Sequence, residues 1–600
     1  MVEPRYRWTF GPTVTPSDSA LAAAAERGLS VRLAGLLAAR GVTDGEGIVA
    51  WFAEPADGLH DPRLLPDAAV ALERLRRARD RSERVQVFGD FDADGLTGLA
   101  ILTLALRRYG LAVEPYVPSR LDEGHGLSLA AIDAAEAAGC RLIITVDCGS
   151  TSVAEVAAAQ ARGIDVIVTD HHRVPAMTPA AVAFVNPHRP DSTYPDRRLA
   201  GSGVAFKVAQ LVLADEPGGS AAALDLADLA TIGSVADLAP IVGENRSIAR
   251  LGLDRIRRDP RPGLVALLAR ARIAPSAVDL EAVSFHIAPR LNAAGRVGEA
   301  LEAARLLLAE DPSEAAAHAD ALETANGTRR DLMKVVLAEA RAAASVGGEE
   351  GGLWASDAAT IVRGPWPVGI VGLVASRLVE DRGRPAVVGA EIGDVVRASC
   401  RSDGSLDLGE TLETCADLFT RFGGHAGAAG FELPAERWDA FRARFLPLAE
   451  AAAPPDPRTA LAIDLALPAI EVDYRLHREL AGLAPCGPGN PDPLVAVLGL
   501  TVTRVRAATG GHSQLTLLRD RDVLDGIAFG RADIAETVHE GDRVDVVARL
   551  TSRSFGGYES LQLEIRDVAG AGLHPDAVAF GGLAAPLPGE PALSAAGAVS

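Results

Sequence analysis

The sequence is poor in aromatic residues and cysteines and has no long apolar run. Aromatic residues make up 4% of the 600 residues, so the hydrophobic cores must rely on Ala, Leu and Val. The five cysteines show no CxxC spacing, which argues against structural zinc, and their odd number indicates a reducing compartment. No apolar run is long enough to span a bilayer, and the first 16 residues have no stretch of signal-peptide length. We therefore expect a cytoplasmic protein.

Positive charge is also in deficit. The chain has 59 Lys and Arg against 80 Asp and Glu, which gives a formal net charge of -21. This balance alone argues against a nucleic-acid partner. It leaves room for a channel with a local basic lining, and bound metal would cancel part of the negative charge. A chain of this length is expected to form several domains.

Short β-rich runs alternate with Ala-rich helical patterns between residues 85 and 187. Gly110, Gly139 and Gly163 follow the predicted helices, as C-terminal stops do. The alternation predicts right-handed βαβ units, and therefore an α/β fold with a parallel sheet covered by helices on both faces. Strands are predicted at 85–88, 142–146, 166–168 and 182–185, and helices at 96–109, 127–138 and 152–162.

Acidic and imidazole side chains stand where these predicted strands end. Because the carboxyl ends of parallel strands meet at one edge of a sheet, we expect the groups to gather there. Carboxylates at this density repel one another, and a pair of divalent metal ions would stabilise them. Oxygen ligands with a few imidazoles suit Mn²⁺ or Mg²⁺. The groups, with one that closes a later helical stretch, are Asp90, Asp92, Asp94, Asp147, Asp170, His171, His172, His188 and Asp237.

The triplet Asp170-His171-His172 and several longer segments resemble the DHH phosphoesterase superfamily, and within it the RecJ exonuclease branch. The likeness covers residues 80 to 570. It implies an enzyme that digests single-stranded DNA from 5′ to 3′ and releases 5′-mononucleotides, in DNA repair and recombination. The segments are GDFDADG (89–95), VDCGS (146–150), TDHH (169–172), NPHRPD (186–191), GSGVAFK (201–207), ADLAPI (236–241), PRLNAAGR (289–296), GIVGLVASRL (369–378) and GGHAGAAGF (423–431).

The resemblance also implies roles for individual residues. Two divalent ions, Mn²⁺ or Mg²⁺, are expected to be held by Asp92, Asp94, Asp147, His171 and Asp237, with Asp147 as the bridge. Asp90 and His172 are expected to support the metals and the scissile phosphate. Arginines suit bidentate phosphate contacts, and a glycine-rich turn can face an anion with its N–H groups. The candidate DNA-phosphate contacts are Arg120, Arg290, Asn292, Arg296, Ser376, Arg377, Arg401 and His425.

The domain order that follows has six parts. A β-rich pattern after residue 459 predicts a barrel of OB type, with Phe555 and Tyr558 as possible stacking faces for single-stranded DNA. Expected partners are single-stranded DNA, a helicase and a single-strand-binding protein, with a monomeric enzyme and no membrane. The parts are a helical N-terminal region (1–80), a DHH catalytic domain (81–299), a connecting helix (300–346), a DHHA1-type domain (347–452), the OB-type domain (459–569) and a disordered tail (570–600).

Two positions depart from the family pattern. Pro367 stands where the family usually has a histidine, and His125 stands where a tyrosine is common. Two other functions stay open for the same residues. One is a phosphodiesterase or pyrophosphatase that acts on very small substrates, which would have no use for the barrel. The other is a non-catalytic DNA-binding scaffold, which would not need the complete set of ligands.

Overall fold

A computed structural model gives the architecture of the chain. It describes residues 2–11, 14–120, 123–345, 358–454, 456, 458–555 and 558–573. The chain divides into two compact units, Gly58–Pro457 and a second made of Met1–Asp57 with Arg458–Ser600. From residue 574 onward, the tail predicted to be disordered lies outside the described residues.

The predicted helical region 1–80 is divided between the two units. Residues up to Asp57 belong with the C-terminal part of the chain. The helix Ala68–Asp80 (α4) instead packs into the core of the larger unit through Ala71, Leu75 and Ala78. This helix has an apolar face that matches the parallel sheet, a feature that composition does not reveal. The elements are β1 (Arg7–Phe10), α1 (Asp18–Glu26), α2 (Val31–Ala39), α3 (Gly45–Trp51) and α4 (Ala68–Asp80).

A five-stranded parallel sheet forms the first part of the larger unit. Its strands are β2 (Arg84–Gly89), β3 (Ala112–Tyr116), β4 (Cys140–Val146), β5 (Asp165–Thr169) and β6 (Ala183–Val185). Their order in the sheet is β3-β2-β4-β5-β6, with every pairing parallel. The strands are near-continuous apolar runs because helices cover both faces. The carboxyl ends of β2, β4 and β5 therefore lie side by side.

Helices pack on this sheet and continue beyond it. The helix after β2 is almost completely buried and packs closely on the helix that begins at Gly201. The helices are α5 (Ala93–Arg108), α6 (Leu129–Ala137), α7 (Val153–Ala161), α8 (Gly201–Leu213), α9 (Gly219–Leu224), α10 (Ala227–Ala236), α11 (Gly243–Arg258), α12 (Pro262–Ala271), α13 (Leu280–Ala282) and, after a π-helical turn at Val283–Ile287, α14 (Ala288–Val297).

The single connecting helix predicted at 300–346 is two helices in the structure. They are α15 (Leu301–Leu308) and α16 (Pro312–Ser345). Asp311 ends the first and caps the second, because its carboxylate accepts hydrogen bonds from the N–H groups of Ser313 (2.8 Å) and Glu314 (3.1 Å). Proline is favoured in the first turn of a helix, so Pro312 marks a new start rather than a continuation.

A mixed sheet follows, and it completes the larger unit. The elements are β7 (Thr360–Gly364), α17 (Val368–Arg382), β8 (Ala386–Ile392), β9 (Val395–Arg401), α18 (Leu408–Glu413), β10 (Arg421–Gly424), β11 (Ala428–Pro434) and α19 (Trp438–Ala452). The order of the strands in the sheet is β10-β11-β9-β8-β7, in which β7 and β8 pair in parallel and the other pairings are antiparallel. Phe431, Trp438, Phe441 and Phe445 fill the core of this part.

The smaller unit is built on a closed β-barrel, which confirms the predicted OB-type fold. Its elements are β12 (Ala460–Ile463), β13 (Leu465–Leu467), α20 (Tyr474–Ala481), β14 (Val495–Ala508), β15 (His512–Arg519), β16 (Asp522–Ala528), α21 (Ala532–Thr537), β17 (Arg543–Phe555) and β18 (Tyr558–Gly570). The barrel closes because β14 pairs with both β15 and β17. β1 adds to β12 in parallel. The side chains of Phe555 and Tyr558, predicted as stacking faces, lie outside the described residues.

Among the residues that the structure describes, no helix combines the length and the apolar character that crossing a membrane requires.

Candidate metal centre and basic groove

Acidic residues at the carboxyl ends of β2 and β4 form the base of the site. Asp90 follows β2, and its side chain is buried with one oxygen 3.1 Å from Nδ1 of His125. Asp92 caps α5, because its Oδ1 accepts hydrogen bonds from the N–H groups of Asp94 (3.0 Å) and Gly95 (3.1 Å). Asp147 follows β4 with a positive φ of 61°, an uncommon conformation for a non-glycine residue. Such strain occurs where a side chain must be aimed in one direction.

Asp94 is held by the start of α8. Its two oxygens accept hydrogen bonds from the N–H groups of Gly201 (2.6 Å) and Ser202 (3.0 Å). The free N–H groups at the start of a helix favour a carboxylate. Gly201 also permits a close approach, since a Cβ on it would lie 2.5 Å from Cβ of Asp147. The segment from Gly201 thus sets the distance between two predicted ligands.

The DHH triplet follows β5 and brings two imidazoles to the same edge. Nε2 of His171 lies 3.0 Å from Oδ1 of Asp147 and 3.9 Å from Oδ2 of Asp94. Its Nδ1 lies 3.9 Å from Oδ2 of Asp237, which follows α10. The ring of His172 lies 4.5 Å from the ring of His171. All seven residues predicted for the metal site and its support are therefore close together.

Asp170 does not face the cluster as a free group but orients the histidines. Its Oδ1 accepts hydrogen bonds from the N–H groups of His171 (2.7 Å) and His172 (3.1 Å), and it lies 2.8 Å from Nδ1 of His172. Its Oδ2 accepts from the N–H of Ser150 (2.9 Å). Asp170 was not among the predicted supporting residues. Its position at the head of the triplet, directly after a strand, was the available signal.

The titration behaviour of the cluster reflects burial and mutual repulsion. Burial, with repulsion from Asp90 and Asp94, raises the pKa of Asp92 to about 6. Burial, with repulsion from Asp94, raises the pKa of Asp237 to about 8 and that of Asp147 well above its usual value. Burial lowers the pKa of His171, and the hydrogen bond with Asp170 raises the pKa of His172 to about 9. Without a cation, these carboxylates resist ionisation together.

The donor atoms fit a metal site. Three sets have ligand atoms within 4.8 Å of one another: Asp147 with His171 and His172, Asp94 with His171 and Asp237, and Asp90 with Asp92 and Asp147. Oδ1 of Asp90, Oδ1 of Asp147 and Nε2 of His171 are buried and have no hydrogen bond of acceptable geometry among the described residues. Buried polar atoms are normally paired, so these atoms are suited to an ion.

A group of arginines lies near the acidic cluster. Arg120 is within electrostatic reach of Asp90 and Asp92, and its guanidinium lies 4.9 Å from the ring of Phe91. Burial, with repulsion from Arg120 and Arg329, lowers the pKa of Arg296 to about 10. Burial and repulsion from Arg120 lower the pKa of Arg401 despite the neighbouring Cys400. We call Arg120, Arg296, Arg329 and Arg401 the arginine cluster.

The carboxylates that attract the arginine cluster belong to the acidic cluster, since Asp90 and Asp92 act on Arg120 and Asp92 acts on Arg296. Among the described residues, none of its four members forms an ion pair with a carboxylate. Arg296 donates to the carbonyl of Gly369 (3.0 Å), and Arg329 donates to Oδ1 of Asn326 (2.9 Å) while its Nε is buried without a partner. Arg329 was missed by sequence reasoning, because it lies in a charged helical stretch typical of a solvated surface. An anionic ligand would relieve the repulsion.

Other predicted phosphate contacts have partners within the protein. Arg290 is buried and pairs with Glu323 (2.6 Å), and Arg377 pairs with Glu380 (2.7 Å). Oδ1 of Asn292 accepts a hydrogen bond from the N–H of Ala93 (2.7 Å), and the hydroxyl of Ser376 donates to the carbonyl of Gly372 (3.2 Å). Arg290 and Asn292 thus link α14 to α16 and to the start of α5, whereas the contacts of Ser376 and Arg377 lie within α17.

His425 lies in the exposed turn between β10 and β11. The turn borders a cavity of 480 Å³ whose lining also includes Arg173, the residue after the DHH triplet. Pro367 occupies the position before α17, where the family usually has a histidine, and Trp366 beside it donates to Glu339 (2.8 Å). His125, at the other departure, reaches Asp90 as described above.

On the barrel, Phe529 is exposed and its ring meets His512 edge to face at 5.1 Å. Arg506 donates to Gln514 (2.8 Å) and Arg549 pairs with Glu564 (2.6 Å). Phe529 therefore remains available for stacking, while these two arginines are partly engaged.

Family models match three parts of the chain. The DHH family N-terminal domain matches residues 84–234, the DHHA1 domain matches residues 357–450, and the RecJ OB domain matches residues 463–567. These matches agree with the parallel sheet, the mixed sheet and the barrel, and the predicted fold class is confirmed.

Characterised relatives give the same result. The chain is 33% identical over 542 residues to the single-stranded-DNA-specific exonuclease RecJ of Bacillus subtilis. The aligned region covers 90% of this chain and 68% of that protein. The structure resembles Thermus thermophilus RecJ in complex with Mn²⁺, with a TM-score of 0.78, 30% identity, and coverage of 94% of this chain and 80% of the other. For the complex of that protein with Mg²⁺, the TM-score is 0.73 and the identity is 29%, and the match covers 94% of this chain and 78% of the other. The chain belongs to the RecJ family of single-stranded-DNA-specific exonucleases.

Proposed function

We propose that the protein is a metal-dependent exonuclease that degrades single-stranded DNA from 5′ to 3′ and releases 5′-mononucleotides. The observation that carries this proposal is a dense carboxylate–imidazole cluster together with the arginine cluster, whose four members form no ion pair with a carboxylate among the described residues. The first is suited to cations and the second to a phosphate backbone. The 5′-to-3′ direction and a role in DNA repair and recombination rest on the resemblance of the motifs.

Two divalent ions, Mn²⁺ or Mg²⁺, are the cofactors that fit the acidic cluster. Asp94, His171 and Asp237 would hold one, and Asp90, Asp92 and Asp147 the other. The contact between Asp147 and His171 at 3.0 Å supports Asp147 as the shared ligand. When bound, such a pair supplies an activated water molecule and neutralises charge on the phosphodiester.

Neighbouring residues hold the side chains of His172, Asp94 and Asp147 in position. Asp170 fixes one nitrogen of His172, so the other edge of that half-exposed ring is free to donate a hydrogen bond to the scissile phosphate. The N–H groups of Gly201 and Ser202 fix Asp94, and the strained backbone of Asp147 fixes its carboxylate. Preorganised groups of this kind lower the barrier because they need no rearrangement during the reaction.

The arginine cluster supports binding of a strand next to the cut. Its members come from the loop after β3, from α14, from α16 and from β9, so they belong to both sheets of the larger unit and to the helix that joins them. A guanidinium offers paired donors to phosphate oxygens. We assign Arg120, Arg296, Arg329 and Arg401 to the DNA backbone, and His425 with Arg173 to a further phosphate farther along the strand.

The barrel supplies the means to hold a longer strand. An exposed aromatic such as Phe529 can stack on a base without regard to its identity. We further propose that the enzyme acts as a monomer in the cytoplasm, with a helicase and a single-strand-binding protein that provide the unpaired substrate. Cys140, Cys148, Cys400 and Cys415 are buried thiols, which suits a reducing compartment.

The test uses oligonucleotides labelled at either end, with and without a complementary strand, and compares the wild type with Asp147→Asn. We expect the wild type to release labelled mononucleotide from the 5′ end of the single strand only when Mn²⁺ or Mg²⁺ is present. Asp147→Asn should lose at least a thousandfold in rate, since one uncharged ligand disturbs both ions, while single-strand binding is retained. Asp191→Asn is the matched control, because Asp191 is exposed and, among the described residues, its ion pair is with Arg189.

Two experimental results would favour a different function. Faster turnover of a dinucleotide than of a long oligonucleotide would favour the small-substrate phosphodiesterase. Tight single-strand binding without any metal-dependent release would favour the non-catalytic scaffold.

A further inference from the structure

A second polar cavity lies at the end of the parallel sheet opposite to the acidic cluster. It has a volume of 630 Å³ and is lined by the first residues of three strands and by one face of α4. Arg84 begins β2, Arg141 is the second residue of β4 and Asp165 begins β5. The strands are parallel and rise about 3.3 Å per residue, so the two ends of the sheet are about 20 Å apart. The cavity is therefore distinct from the metal centre.

The lining is strongly basic. Arg74, Arg77 and Arg81 follow one another at helical spacing along a single face of α4 and its C-terminal residue. Arg84 and Arg141 add two more guanidinium groups from the sheet. No aromatic or aliphatic side chain lines the cavity within the part of the chain that the structure describes. In a protein with a net charge of -21, this concentration of positive charge is local and specific.

The two carboxylates in the cavity do not neutralise it. Both are engaged by Arg74, whose Nε lies 2.6 Å from Asp165 and whose Nη2 lies 2.7 Å from Glu83. Glu83 also lies 4.0 Å from Nη1 of Arg81. Arg74 is only 3% exposed, and its Nη1 has no hydrogen-bond partner among the described residues. A buried guanidinium normally has all its donors satisfied.

Two further arginines in the cavity are free. Arg77 and Arg141 make no side-chain ion pair with any described residue, whereas Arg84 pairs with Glu114 at 3.3 Å. Gly139 and Gly163, with φ of 72° and 75°, also belong to the lining and leave its mouth clear of side chains. The arrangement therefore presents several uncompensated donors to an open space that is large enough for a nucleotide.

We propose that this cavity binds a small ligand through a chain of phosphate groups, such as inorganic triphosphate or the triphosphate of a nucleotide. Guanidinium groups contact phosphate oxygens in pairs, and several of them suit a ligand with several negative charges. No aromatic ring lines the cavity among the described residues, so we expect the phosphates to supply most of the affinity. Like charges held together without a counter-ion are unfavourable, and a polyanion offsets that cost.

The experiment is calorimetric titration of the full-length protein with inorganic triphosphate in metal-depleted buffer without DNA. We expect a binding site whose affinity for triphosphate is at least tenfold weaker in the double variant Arg77→Ala/Arg141→Ala, while any binding at the arginine cluster is the same in both proteins. Arg76→Ala is the matched control, because Arg76 is the neighbour of Arg77 on the same helix but faces Asp215 and does not line the cavity. Its affinity should equal that of the wild type.

Parallel titrations identify the ligand class. ATP should bind with an affinity similar to that of inorganic triphosphate, and 5′-dAMP at least ten times more weakly. Equal binding in the wild type and the double variant, or the absence of binding in the wild type, would overturn the proposal. So would displacement of triphosphate by a single-stranded oligonucleotide, which would assign the cavity to DNA. Because the triphosphate titrations contain neither metal nor DNA, their failure leaves the nuclease proposal standing.

Discussion

Asp170 holds both histidines of the triplet, although it is not expected to touch a metal ion. Replacing it with Asn keeps the shape but turns one acceptor into a donor, which opposes either the N–H of Ser150 or the contacts to His172. We predict that Asp170→Asn lowers kcat by about 10- to 100-fold and weakens Mn²⁺ binding, as loss of a residue that orients ligands usually does. Single-turnover rates and metal titrations provide the measurement, with Asp191→Asn as control. Unchanged values for both would remove the positioning role.

Replacing Arg329 allows a test of whether the arginine cluster binds the DNA backbone. Its buried Nε lacks a partner, whereas Arg330 next to it is exposed and lies 3.8 Å from Glu323. We predict that Arg329→Ala weakens single-strand binding by about 5- to 10-fold and reduces the slope of log K against log salt by about 0.7, the value for one lost phosphate contact on a single strand. Arg330→Ala should leave that slope unchanged. Equal effects of the two changes would mean that Arg329 acts only through general charge.

At this scale the sequence was most informative where chemistry and strand ends coincide. The meeting of Asp92, Asp94, Asp147 and His171 at one edge of the sheet was expected because they lie close to the ends of buried strands. Their roles as metal ligands rest on the resemblance and stay a prediction. Arg329 could not, since its role depends on the approach of α14 and β9, which lie far away in the chain. Likewise Arg290 and Arg377 have the right chemistry for phosphate, but Arg290 pairs with Glu323 of α16 and Arg377 with Glu380 on the next turn of its own helix.

The start of α8 shows how one helix end sets the geometry of the site. A Cβ on residue 201 would lie 2.5 Å from Cβ and 2.7 Å from Oδ1 of Asp147. We predict that Gly201→Ala lowers kcat at least tenfold, because small displacements of catalytic groups are costly, while overpacking destabilises the fold by only about 1–3 kcal/mol. Gly203→Ala is the matched control, since its nearest neighbour is the flexible side chain of Leu199 at 3.3 Å. Equal activity of both variants would contradict the prediction.

The elements themselves were predictable in kind but not in their limits. β2, β4 and β5 were expected from their apolar runs, whereas β3 was missed because Glu114 and Pro115 interrupt its pattern. The break between α15 and α16 was missed because the Ala/Leu/Glu periodicity continues across it. Asp311 and Pro312 are the local signal, and they end one helix and begin the next only because of the cap that the tertiary structure allows.

At the scale of the whole molecule, the net charge is misleading. A value of -21 suggests a protein that avoids nucleic acid, yet part of the negative charge is gathered in the acidic cluster. Part of the positive charge is gathered in the arginine cluster and in the cavity at the opposite end of the sheet. The positions of the charged residues in the fold are therefore a better guide to function than the net charge is.

The division into two units gives a prediction for the intact protein. The acidic cluster lies wholly within Gly58–Pro457, and the core of the barrel is formed by residues of the other unit. We predict two calorimetric unfolding transitions, of which only one moves upward by a few degrees when Mn²⁺ is added, because an ion that binds the folded state at about 100 times its Kd adds about 2.7 kcal/mol of stability. The shift should be absent in Asp147→Asn. An equal shift of both transitions, or the same shift in that variant, would show that Mn²⁺ acts elsewhere on the chain.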